Sequence, residues 1–282
     1  MLNFIKKIFK GFYNFIPFKQ QIFSILKIFW TPPESIFKHL HFKGKFKVNI
    51  NQSKSFMLNH FGLQCENEIF WMGWKHNWEK ESIKVWGKLC KDSQIILDIG
   101  ANTGIYSLVA KTINPNSKVY AFEPELFFYD MLQKNNSLNN FDIQSYPKAI
   151  SNYDGDIIIE AFSGQSKSFT VESITLDTFI KQNEIKKIDL IKIDVETHEP
   201  KVLEGFLNHL STFRPTLLIE ILNNDIAEIV YNQVRELGYL YFNIDERGNG
   251  SIRQTDIIEK SDYYNYLLCS PETANKIGLL NK

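Results

Sequence analysis

The stretch IILDIGANTGIYSLVAKTI, residues 95–113, constrains the fold more than any other part of the chain. An apolar run stops at an acid, Asp98, turns through Gly100 and Gly104, and restarts with helical spacing, so it reads as strand, loop and helix. The alternation continues downstream. KVYAFEP reads as a strand, ELFFYDMLQKNNSLN as a helix, and a further strand lies near DIQSYPKAI. Two extended runs follow, DIIIEAF and SFTVESITL, then the helix LDTFIKQN and IDLIKIDVE, the clearest buried strand. The helix PKVLEGFLNHL, the strand PTLLIEIL and the helix DIAEIVYNQVRELG come next, and YLYFNI, the turn DERGNG and YNYLLCS close the chain as a hairpin. Strands alternating with helices predict an α/β fold with a mostly parallel sheet covered on both faces.

The first 65 residues have a different character. Residues 1–50 carry nine lysines against one acid, Glu34, so this segment is +8 and the remainder −8 in a chain of net charge zero. Zero net charge argues against a nucleic-acid partner bound through a whole-protein field. The N-terminal segment FIKKIFKGFYNFIPFKQQIFSILKIFW has no uncharged run beyond eight residues, Gly11 to Phe18. A spanning helix needs about 20 apolar residues, so none is expected, and no signal peptide is read. The segment reads as an amphipathic arm packed on the domain or on a second subunit of a homodimer, or lying on an anionic membrane surface. Thr31-Pro32-Pro33 ends it, and residues 46–63 alternate weakly as a short hairpin. EIFWMGWKHNWEKESIKVWGKL reads as one helix whose stripe of Trp71, Trp74, Trp78 and Trp86 is read as packing. A basic arm over residues 1–65 and a catalytic domain over 66–282 are the expected units. Cys65, Cys90 and Cys269 lie far apart, which fits a reduced, cytoplasmic protein, peripheral to the membrane if the arm binds one.

In open sheets of this kind ligands bind at the carboxyl ends of the strands. Gly100-Ala-Asn102-Thr-Gly104 is GxxxG, without the third glycine of the dinucleotide pattern. Asp98 at the strand end would repel a pyrophosphate, which disfavours a nicotinamide cofactor, and would attract a ligand carrying ammonium and sulfonium charges. Glu123 ends the next strand, nineteen residues after Gly104, where an acid can accept both hydroxyls of a ribose. Adenosine with a positive amino-acid tail describes S-adenosylmethionine. Pro124 and Ala149, at the ends of neighbouring strands, complete the expected pocket with Gly100, Asn102, Gly104 and Asp194.

DIGANTGIYS, AFEP, the SxTLD segment, DLIKIDVETHEPKVLEG and LIEI, in that order, resemble the FkbM family of S-adenosylmethionine-dependent methyltransferases. The resemblance covers about residues 70–240. It implies a Rossmann-like class I methyltransferase fold, with a seven-stranded, mostly parallel sheet, a C-terminal antiparallel hairpin and a helical N-terminal extension. It also implies methylation of hydroxyl groups on sugars, nucleotide sugars, polysaccharides or secondary metabolites, in a bacterium by the scarcity of arginine. The family commonly has Gly where this chain has Thr197, which is read as an N-cap for the following helix.

Lys192, Asp194, Glu196, His198 and Glu199 cluster where the most apolar strand ends. Methyl transfer to an alcohol needs an aligned oxygen and a base. His198 is the first expected base and Asp194 the second, with Lys192 beside them, because histidine titrates nearest neutrality. Glu220 ends the next strand, 26 residues after Asp194, so the two carboxylates are a candidate pair for a divalent cation such as Mg²⁺. The acceptor is expected to be a small molecule or glycan. No NPPY-like base-flipping tetrapeptide is present, and the catalytic region is acidic.

Overall fold

The apolar runs that end in acids pair side by side, as their two-sided hydrophobicity requires. The computed structural model describes residues 16–74, 79–162, 164, 167–247 and 251–280. A basic hairpin comes first, β1 (Gly44–Asn49) and β2 (Ser55–His60). Then follow β3 (Ile95–Ile99), β4 (Lys118–Phe122), β5 (Gln144–Tyr146), β6 (Ala149–Ile150), β7 (Gly155–Glu160), β8 (Ser168–Ile174) and β9 (Leu190–Ile193). The chain closes with β10 (Thr216–Glu220), β11 (Leu240–Ile244), β12 (Ile252–Thr255) and β13 (Asn265–Cys269).

Among the described residues the main sheet has eight strands in the order β12-β11-β13-β10-β9-β3-β4-β5. The segment β10-β9-β3-β4-β5 is parallel, and β13 runs antiparallel between β10 and β11. The Rossmann-like α/β order implied by the resemblance is therefore present, with one strand more than expected. The turn after YLYFNI leads to the polar edge strand IRQT, β12, and β13 inserts between β11 and β10, so the expected terminal hairpin is a three-stranded arrangement. Alternate residues enter opposite layers: Ile96, Val119, Leu190 and Leu218 face one core, and Leu97, Tyr120, Ile191 and Leu217 the other. Strand order reverses direction at β3 and β9, which puts a cleft beyond their carboxyl ends. The separate sheet β6-β8-β7 stands over that end.

The expected tryptophan helix is broken. Gly73 at φ 82° ends the helix Gln64–Met72, and a second helix, Lys80–Leu89, follows. Trp71, Trp74 and Trp86 are buried, and their indole N–H groups donate to the carbonyls of Leu40, Ile50 and Tyr106. They therefore pack rather than stack ligands; Trp78 lies outside the described residues. The boundary expected at residue 65 falls inside the helix Gln64–Met72, and Phe46, Val48, Phe56 and Leu58 join the same core as Trp86 and Val109. Among the described residues no helix is long and apolar enough to cross a membrane.

Candidate active site

A cavity of about 650 Å³ opens beyond β3, β4 and β9, roofed by β7 and the start of β8. Its first wall is the loop after β3. Gly100 and Gly104 have φ of 80° and 86°, and Asn102, a residue that tolerates this region, has φ 50°. A Cβ on Gly100 would lie 1.8 Å from the carbonyl oxygen of Asp194, and one on Gly104 would lie 3.0 Å from Leu132. Glycine at both ends thus follows from packing: the loop lies directly on the exit of β9 and on the helix Leu126–Asn139.

Glu123 clamps this loop. Its carboxylate accepts hydrogen bonds from the N–H of Asn102 at 2.8 Å and of Glu125 at 2.9 Å. Burial pushes its pKa up to about 7. Glu123, Pro124 and Ala149 all line the cavity, as do Gly100 and Asn102. Glu125 in turn accepts from the N–H of Phe162, which ties the small sheet to the loop after β4.

Asp98 departs from expectation. It sits within β3, fully buried and off the cavity wall, where one carboxylate oxygen accepts from Ser107 Oγ at 2.7 Å. Its Oδ1 is buried and accepts no hydrogen bond. Across the sheet Asp98 is in register with Lys192. The acid that reaches the cavity from this part of the sheet is Asp194.

Lys192 is buried and donates to Asp194 at 2.6 Å, with its ammonium 4.6 Å from the centre of the Tyr106 ring. Burial opposes its charge, yet Asp194, Glu79 and Asp98 outweigh burial and raise its pKa. Lys192 is therefore a fixed cation and not a proton acceptor. Glu79 accepts from Tyr106 Oη at 2.8 Å and from Asn265 Nδ2 at 3.2 Å on the same wall. Sequence reasoning missed this residue, because it lies in a charged helical run and meets Asn265 only in the folded chain.

The strand does not continue past Ile193. Instead the chain turns with Glu196 at φ 54° and Thr197 at φ 76°, left-handed conformations that cost a β-branched residue most. Thr197 is therefore not the N-cap; His198 holds that position, without a side-chain capping bond. Glu199 is fully buried and accepts from the N–H of Val195 at 3.2 Å, holding the turn closed. His198 lines the cavity with its Nε2 3.0 Å from Ser151 Oγ. Burial, with Lys201 nearby, lowers its pKa below the ordinary 6.5, so the imidazole is neutral at pH 7.

Glu220 lies at the end of β10, off the cavity wall. Burial and the charge of Asp194 push its pKa up to about 9, so it holds its proton at neutral pH. The cation beside Asp194 is the Lys192 ammonium. Asn223 is engaged in capping the helix Asn224–Val234 through Ile226 N–H. Among the described residues no three His, Cys, Asp or Glu side chains group as a metal site. Glu220 lies off the cavity wall and the Asp194 carboxylate is held by the Lys192 ammonium, so the two do not converge on the cavity as a divalent-metal pair.

Residues 98–241 match the family described as Methyltransferase FkbM domain. The chain is 28% identical over 161 residues to the hexuronic acid methyltransferase AglP of Haloferax volcanii, covering 54% of this chain and 66% of that protein. It is 25% identical over 139 residues to Methyltransferase 1 of Beauveria bassiana, covering 46% and 54%. The chain thus spans between about half and two thirds of the curated relatives it matches. Among solved structures, methyltransferase FkbM from Methylobacillus flagellatus aligns at 18% identity and a TM-score of 0.44, over 63% of this chain and 44% of that one.

Proposed function

The chain belongs to the FkbM methyltransferase family, and from that premise we propose that it transfers a methyl group from S-adenosylmethionine to a hydroxyl of a sugar or glycan. The observation that carries the cofactor assignment is the sign of the cavity wall. Six acidic side chains line it (Glu79, Glu123, Glu125, Glu160, Asp194 and Glu196) against two lysines, Lys148 and Lys192. Burial pushes Glu79 and Glu123 toward the neutral acid and Asp194 pairs with Lys192, which leaves Glu125, Glu160 and Glu196 against Lys148. Such a wall suits a cationic ligand and opposes a pyrophosphate. S-adenosylmethionine, when bound, supplies a methyl group on a positively charged sulfonium. Gly100 to Thr103 and Glu123 would hold its adenosine, and Asp194 would face its charged end. Gly104, expected in the pocket, lies off the cavity wall against Leu132.

The chain's own contribution is positioning and proton removal. Neutral His198 can accept the hydroxyl proton at Nδ1 in the tautomer whose Nε2–H donates to Ser151 Oγ, which orients the imidazole. Lys192 stays charged and holds the Asp194 carboxylate in place. The acceptor reading rests on the implied family chemistry and on the hexuronic acid named for the Haloferax volcanii relative. The test is a thermal-shift series followed by turnover with labelled methyl donor on nucleotide sugars and uronic acids. Stabilisation by S-adenosylmethionine or its demethylated product, and none by NAD, is expected. A shift with NAD alone overturns the cofactor assignment, and transfer confined to non-sugar acceptors overturns the acceptor class.

A further inference from the structure

The helix Lys19–Phe29 buries Phe23 against the domain and turns a second apolar face outward. Phe18, Ile22, Ile25 and Phe29 are 73%, 46%, 60% and 82% exposed. Within the helix, Ile22, Ile25 and Phe29 are spaced three and four residues apart and share one stripe, which Ile28 widens and which exposed Phe18 and Trp30 flank at its two ends. A contiguous apolar surface of this kind marks an interaction site.

The surrounding charge identifies the partner. Residues 35–65 contain five lysines and no acid. Lys54, like Lys27 in the helix, is turned inward, the two donating to the carbonyls of Ile113 and Phe70. Lys38, Lys43, Lys45 and Lys47 are exposed, and the last two alternate with buried Phe46 and Val48, so they project from the outer face of β1. A groove of about 640 Å³, bordered by Phe18, Gln21, Lys43 and Gly62, joins the stripe to these lysines. A second copy of the chain would bring two lysine fields together, which is repulsive. Acyl chains beneath anionic headgroups complement both features at once.

We propose that this face docks on an anionic membrane surface, with the helix in the interfacial plane and Phe18, Ile22, Ile25 and Phe29 inserted. Gly62 borders the groove and Cys65, three residues on, borders the candidate active site, so one short turn links the docking face to the cleft.

The experiment is co-sedimentation of the full chain with phosphatidylcholine vesicles, with and without phosphatidylglycerol. Binding to the anionic vesicles alone is expected. Ile25→Glu with Phe29→Glu should weaken partition by more than roughly tenfold. Lys43→Gln, Lys45→Gln and Lys47→Gln should each weaken it by about fivefold. Circular dichroism checks that the variants fold, and the lysine series decides the matter if the double glutamate variant does not. No partition of the wild type, or equal partition of wild type and all variants, overturns the proposal. So does a concentration-dependent dimer, lost in the glutamate variant, in a chain that ignores vesicles.

Discussion

Two loops frame the cleft, and they reach left-handed backbone by opposite means. The loop after β3 uses Gly100, Asn102 and Gly104, residue types for which positive φ is cheap. The turn after β9 uses Glu196 and Thr197, for which it is costly, and is held in shape by buried Glu199 and by packing against Gly100. The first loop faces the expected cofactor and is relaxed as built. The second carries Asp194 and His198 and stores strain next to the expected chemistry, as over-determined sites do.

That contrast can be broken most severely at Gly100. Gly100→Ala forces a methyl group into the carbonyl of Asp194 at a positive φ. It should cost on the order of 3 kcal/mol and abolish cofactor binding, read by thermal unfolding and by calorimetric titration. His198→Ala should lower kcat by about a hundredfold or more while leaving cofactor affinity intact. The pH profile sharpens the same point. Only the neutral imidazole accepts a proton, and its pKa lies below 6.5, so kcat at saturating cofactor should hold through neutrality and fall only as pH drops through that lowered value, while cofactor affinity follows Glu123 near 7. An acid limb of that kcat above pH 6.5 would contradict the assignment.

Glu123→Gln places an amide N–H₂ against one of two backbone N–H donors. It should weaken cofactor binding by about tenfold with little change in kcat, because an unpaired donor costs about 1–3 kcal/mol. Thr197→Gly should have a small effect of opposite sign, raising stability by roughly 1 kcal/mol through relief of the strained φ. If its melting temperature is unchanged, the turn after β9 is not strained and the contrast between the loops disappears.

The parallel core was legible because strands buried on both faces are written as short apolar runs, and IILDI, KVYAF, LIKI and TLLIE all became strands. The edge strand IRQT was not, because one polar residue after another leaves no periodic signal. Nor was the break at Gly73, since apolar spacing resumes in phase across it. Within the site, the positions of Gly100 and Glu123 on the cavity wall could be read because loop geometry demands specific residue types. The burial of Asp98 could not, since a carboxylate inside a strand looks the same in sequence as one at its mouth. The meeting of Glu79 with Asn265 joins residues 186 positions apart, a distance no local pattern encodes.

The contact between Gly100 and Asp194 also bears on how such a protein can be re-engineered or diversified. The two loops interlock at a distance that admits no side chain, so neither can be exchanged alone between relatives. A chimera with its crossover between residues 100 and 194 keeps the fit only if position 100 is glycine and the backbone takes the same path at 194. The small sheet β6-β8-β7 has no such interlock with Gly100. Its strand β7, away from Ala149 and from the Glu125–Phe162 tie, is therefore the part of the cleft where sequence can drift and a change of acceptor can be selected with least effect on the methyl-donor side.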